Sequence, residues 1–145
     1  MPRFILLAFV AGFLAVLCFH QPAVGLLHAS GVVPFTPYGT APVAPLGVPQ
    51  WLSASFWGGV WGVVMLGLFA RWRVEHGLWW KSGLFGAVVL TLVALLVVFP
   101  LKGRGFVPAV LPIGFIVNGA WGLGMWVFTR SLIARRGAPR AGHSE

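Results

Sequence analysis

Acidic side chains are almost missing from this chain. Glu75 and Glu145 are the only two in 145 residues, and neither lies in an apolar run. That scarcity excludes several kinds of chemistry. A pair of carboxylates for acid–base catalysis cannot form within one chain. A Ser-His-Asp arrangement lacks its acid. The intramembrane carboxylate that usually carries a proton or a cation has no candidate. Charge of either sign is scarce at 8% of residues, whereas soluble domains carry about a quarter. There is a single cysteine, Cys18, so neither an internal disulfide nor a CxxC site can form. Set inside an apolar run, it is expected to pack as a small apolar group. No glycine-rich phosphate loop follows a strand pattern.

What is present is apolar. Hydrophobic residues make up 59% of the chain and the mean hydropathy is +0.92. The 20 glycines and eight tryptophans fit a membrane bundle, in which Gly lets helices approach and Trp anchors at interfaces. The expected fold is an all-α integral membrane protein. Four runs reach the roughly 20 residues needed to cross a bilayer: about 4–27, 51–70, 79–101 and 106–128. The first resembles a signal peptide, with Arg3 leading an apolar stretch. It has no A-x-A site, and Leu17 precedes Cys18 where a lipoprotein cut needs a small residue. A retained helix is expected.

Charge then orients the spans. Arg3, Arg71, Arg73, Lys81, Arg130, Arg135, Arg136 and Arg140 fall on one side. Only Lys102 and Arg104 fall on the other, and the loop 29–50 carries no charge. The excess of basic residues on the cytoplasmic side predicts a bacterial inner-membrane protein with both termini inside. Trp72, Trp79 and Trp80 would then form an inner aromatic belt, with Trp51 at the outer interface. The net charge of +8 is thereby explained without nucleic acid as a partner. The tail 131–145 is expected to be a basic cytoplasmic segment held near anionic lipid.

Helices 2 and 4 resemble each other. Val48, Pro49, Leu52 and Phe56 match Val107, Pro108, Leu111 and Phe115 at an offset of 59. Gly59, Trp61, Gly62 and Met65 match Gly119, Trp121, Gly122 and Met125 at an offset of 60. Helices 1 and 3 align at an offset of 78, pairing Arg3 with Lys81, Leu14 with Leu92 and Pro22 with Pro100. Convergent apolar composition explains the second alignment equally well, whereas the shared G-x-W-G-x-x-M favours duplication for helices 2 and 4. The expectation is two hairpin repeats of the same orientation in a four-helix bundle.

Polar residues inside the spans are few. His20 lies 17 residues after Arg3, or roughly 25 Å of helix, near the outer edge of the hydrocarbon. Beside it stand Gln21 and Pro22. Pro22 has no N–H for the Cys18 carbonyl and should bend the helix. His20, Gln21 and His28 are candidate ligand or partner contacts, though an interfacial histidine beside a helix-ending proline needs no ligand. His20 and His28 are eight residues apart, about 12 Å in height and about 80° in direction on a straight helix. They cannot share a metal without a break at Pro22, and no catalytic, cofactor or metal site is assigned. Asn118 falls near mid-membrane, where a hydrogen bond to another helix is the ordinary explanation and a pore lining the sharper one. Thr91 can satisfy its hydroxyl on its own backbone. Gly58, Gly62 and Trp61 in helix 2, with Gly122 and Trp121 in helix 4, are expected to be packing positions.

The loop 29–50 holds Pro34, Pro37, Pro42, Pro45 and Pro49 with Phe35 and Tyr38. It should be semi-rigid and lie on the membrane surface or over the bundle. Three functions fit this inventory. The first is a non-enzymatic helix-packing accessory or assembly subunit, either a homo-oligomer or part of a larger membrane complex. The second is a half-sized transporter or channel that dimerises. The third is a membrane redox subunit with a histidine site shared between chains.

Overall fold

The structure, a computed structural model, describes residues 1–134. Four helical segments are long and apolar enough to cross a membrane: α1 (Pro2–Ala29), α2 (Gln50–Arg71), α3 (Leu78–Leu101) and α4 (Pro108–Leu132). α4 opens with a 3-10 turn at Pro108–Val110 and continues as α-helix over Leu111–Ala134. Four residues expected in the basic tail are therefore helical, and the rest of that tail lies outside the described residues. Helix boundaries follow backbone chemistry. Pro2 takes the first helical position of α1, where its missing N–H costs nothing. Gly77, at φ +66, supplies the left-handed residue that lets the chain turn into α3.

The helices run up and down, and small residues decide where they cross. Ala8, Ala11, Gly12 and Ala15 form one buried face of α1. It meets Ser55, Gly58, Gly59, Gly62 and Met65, the buried face of α2. A Cβ on Gly62 would stand 2.6 Å from the Ala8 carbonyl oxygen, and one on Gly58 would stand 2.9 Å from the Gly12 oxygen. The second hairpin crosses in the same way. A Cβ on Gly122 would overlap the Ser82 carbonyl, and one on Gly86 the Asn118 carbonyl. Contact between backbones leaves no room for a side chain, which is why these positions are glycine.

α1 and α4 pack along the middle of the bundle. Ala11, Ala15, Val16, Met65, Trp121 and Met125 form its buried core. Trp121 donates its indole N–H to the Gly12 carbonyl over 3.1 Å. Phe19 meets Phe128 edge to face at 6.0 Å. Outward faces remain apolar: Leu6, Phe56, Trp57, Leu92, Leu96 and Ile116 are all exposed. Cys18 is among the exposed residues of α1, rather than packed inside.

The fold is not wholly helical. Within the loop, Pro42–Val43 (β1) pairs antiparallel with Val48–Pro49 (β2), in the register Pro42 to Pro49 and Val43 to Val48. The loop folds back on α1. A Cβ at Gly25 would lie 3.4 Å from the Pro37 ring.

Candidate functional site

α2 and α3 part along their shared seam and leave a cleft of about 160 Å³ toward the loop-bearing end. Its walls are Trp57 and Trp61 of α2 with Val93 and Ala94 of α3; its floor includes His20 of α1 and Asn118 of α4. All four helices contribute. Of the two polar candidates in it, Asn118 is anchored: its amide N–H donates to the Thr91 hydroxyl over 2.9 Å. That leaves the Asn118 side-chain carbonyl as an acceptor. His20 carries a buried Nδ1 with no hydrogen-bond partner. A buried polar atom in that state costs about 1–3 kcal/mol and calls for an unseen partner.

Local backbone explains how His20 reaches the floor. α1 widens into a π-helical turn over Val16–His20, and the Gln21 N–H bonds to the Val16 carbonyl five residues back. The next donor in that pattern would be Pro22, which has no N–H. The Leu17 carbonyl is thus stranded, and the Tyr38 hydroxyl reaches down from the loop to donate to it over 2.7 Å. A widened turn thus immediately precedes Pro22, and the Leu17 carbonyl takes its donor from the loop. Widened turns recur in α3 at Phe85–Leu90 and Ala94–Val98, on either side of Thr91. Such turns are common at functional sites, and here they contribute Val16, His20, Leu90, Ala94 and Val98 to the cleft.

Gln21 and His28 do not join His20. Gln21 is buried, and its Oε1 accepts the Tyr38 backbone N–H over 2.8 Å. His28 places Nδ1 3.1 Å from the Val33 carbonyl oxygen. Both residues hold the loop to the bundle. The candidate quartet therefore divides: His20 and Asn118 meet, Gln21 and His28 build the strap above them. No family model, curated protein or solved structure matches this chain.

Thr91 is the residue that sequence reasoning passed over. It is almost fully buried and is the acceptor for Asn118. A Cβ at Gly114 would stand 2.5 Å from the Thr91 methyl carbon, so Gly114 and Asn118, one turn apart, make a notch for the threonine. That small–polar spacing was the available signal.

A second cavity of about 420 Å³ lies toward the other end of the same seam, lined by α2, α3 and α4. Along α3, Phe85 sits between Ser82 of this cavity and Leu90 of the cleft. Phe85 and Phe69 face each other edge to face at 6.0 Å across the seam. Among the described residues, no three His, Cys, Asp or Glu side chains gather as metal ligands.

Proposed function

We propose that this protein is a small multi-pass membrane protein that binds, and passes along its α2–α3 seam, a small uncharged molecule. The observation that carries the reading is the convergence of His20 and Asn118, from different helices, on one aromatic cleft in which the His20 Nδ1 has no partner. Volume narrows the ligand. About 160 Å³ is below the roughly 300–1,000 Å³ of pockets for drug-sized ligands, so only a few non-hydrogen atoms fit. Charge narrows it too, because no Asp, Glu, Lys or Arg lines the cleft. The Trp57 and Trp61 rings, the His20 ring nitrogens and the Asn118 carbonyl suit a small polar solute.

The bilayer reading has its own support. Apolar faces as extended as those of α1–α4 exceed the patches that soluble monomers expose. The asymmetry of basic residues supports an orientation with the termini in the cytoplasm of a bacterial-type cell and the cleft toward the outer leaflet. The matched crossings support two hairpin repeats. Gly12 meets Gly58 as Gly86 meets Asn118, and Ala8 meets Gly62 as Ser82 meets Gly122. These pairs equate α2 with α4 at an offset of 60 and α1 with α3 at 74, one turn from the alignment read off the sequence.

The accessory-subunit reading drew its support from the Gly/Trp packing surfaces and the lack of polar chemistry. In the structure Gly58, Gly62 and Gly122 are filled by neighbours within the chain. The same glycines no longer motivate a partner helix, so the transport reading stands first. Nor does the cleft need a second copy to complete it.

Thiol accessibility tests the proposal. In a Cys18→Ser background, Ala94→Cys and Ala54→Cys should react with a membrane-impermeant methanethiosulfonate reagent from the periplasmic face of sealed vesicles. An outward control, Leu96→Cys, should stay unreactive in lipid. If neither cleft cysteine reacts from either face, the seam is dry and the transport reading falls.

A further inference from the structure

We infer that the larger cavity at the terminus-bearing end of the seam is a binding site for one anionic phospholipid of the inner leaflet. The inference rests on the membrane orientation proposed above and is independent of the outer cleft. Leu66, Phe69, Leu78 and Trp126 give the cavity apolar walls, and Thr129 and Arg130 stand on the same face. The cavity holds about 420 Å³, within the range of pockets that take an organic ligand. A lipid tail needs such walls and a charged headgroup needs the other two residues.

Both polar residues have an open valence. The Arg130 guanidinium lies over the Trp126 ring, 5.6 Å from its centroid. It has no carboxylate partner among the described residues. The chain offers hardly any: Glu75 sits in the α2–α3 turn and Glu145 outside the described residues. Beside the ring the guanidinium lines the cavity, and its fork of donors suits phosphate oxygens. One residue earlier, the Thr129 hydroxyl is buried and unpartnered. In a helix a threonine hydroxyl can turn to its own backbone; this one does not, so its proton is free for an acceptor in the cavity. A phosphodiester accepts from both. Its negative charge also answers the surplus of Arg71, Arg73 and Lys81 at this end.

Occupancy is read by native mass spectrometry of the full-length protein, released from vesicles of equal phosphatidylglycerol and phosphatidylcholine. One phosphatidylglycerol per chain should be retained, favoured over phosphatidylcholine about fivefold to tenfold. Arg130→Gln should abolish that preference. Leu78→Trp, which fills the cavity and leaves every charge in place, should remove the bound lipid. Arg135→Gln with Arg136→Gln should leave both properties unchanged, because the tail then serves only as a diffuse attraction. The site is overturned if Arg130→Gln and Leu78→Trp retain the lipid as the wild type does, or if the tail variant alone eliminates the preference. Circular dichroism of each variant confirms that the helices remain. Failure of the wild type to stay in carbonate-washed vesicles would instead strike at the membrane reading itself.

Discussion

The two hairpins make one crossing with two kinds of chemistry. In the first, glycine meets glycine: Gly12 faces Gly58, and no polar side chain joins α1 to α2 at that level. In the second, Gly86 faces the Asn118 backbone, and the same Asn118 ties α4 to α3 through Thr91. The first hairpin is steadied from outside instead, by Tyr38 bonding to Gln21 and to the Leu17 carbonyl. The tryptophans that match between the hairpins also part ways. Trp121 is buried and closes the α1–α4 seam on the Gly12 carbonyl. Both rings border the α2–α3 cleft, but Trp61 is only half-buried and no hydrogen bond ties it to another helix among the described residues. Close backbone crossings recur in both hairpins and hold the bundle, whereas Asn118 and the half-buried Trp61 border the cleft.

The sharpest way to break the shared part is at the backbone crossing. Gly122→Leu would drive a side chain into the Ser82 carbonyl, which cannot swing aside as a flexible side chain can. Overpacking typically costs about 1–3 kcal/mol, and more where backbones must separate; the expected cost here is about 3 kcal/mol or above. Gly67 is the matched control, since a Cβ there meets nothing within 4 Å. Gly67→Leu should change stability by no more than about 0.5 kcal/mol. Denaturation in mild detergent, followed by far-ultraviolet circular dichroism, compares the two. Equal behaviour would mean that the crossing is not where the structure puts it.

The next comparison is between the two tryptophans. Trp121→Phe removes a buried donor and leaves the Gly12 carbonyl with its helical Val16 N–H alone, at an expected cost of about 1 kcal/mol. Trp61→Phe borders open space and should cost under about 0.5 kcal/mol while changing thiol reactivity at Ala94→Cys. If the stability effects were reversed, Trp61 and not Trp121 would be the sealing ring.

Much of this was legible in the chain itself. Apolar length is a property of whole segments, and four long helices follow from it. Gly58 and Gly62 announce a close crossing because their spacing puts them on one face. Their partners were not legible, since Gly12 and Gly86 belong to no repeating pattern and gain meaning only when another helix lies against them. The alignment of helices 1 and 3 matched leucines and prolines, and the close crossings give a register one turn away from it. Leucines are interchangeable on an outward face, whereas the crossing equates Gly12 with Gly86. Gln21 looked like a ligand donor because the loop that claims it starts far along the chain. The Leu17 carbonyl escaped notice for a similar reason: its loss of a partner depends on a widened turn that composition does not signal.

The smallest effect concerns the polar pair that distinguishes the second hairpin. Asn118→Leu and Thr91→Val each remove one half of the hydrogen bond, and the double variant removes both. Polar contacts between membrane helices couple by about 0.6 kcal/mol on average, because each group finds other partners when the bond is broken. A double-mutant cycle should return a value of that order between Asn118 and Thr91. The corresponding pair in the first hairpin, Gly58 and Leu17, has no side-chain bond to lose. Any coupling above about 1.5 kcal/mol would mean that the pair sits in a drier site than the cleft allows. Coupling near zero, with Asn118→Leu still altering thiol reactivity at Ala94→Cys, would instead assign Asn118 wholly to the cleft and leave the second hairpin held, like the first, by close packing alone.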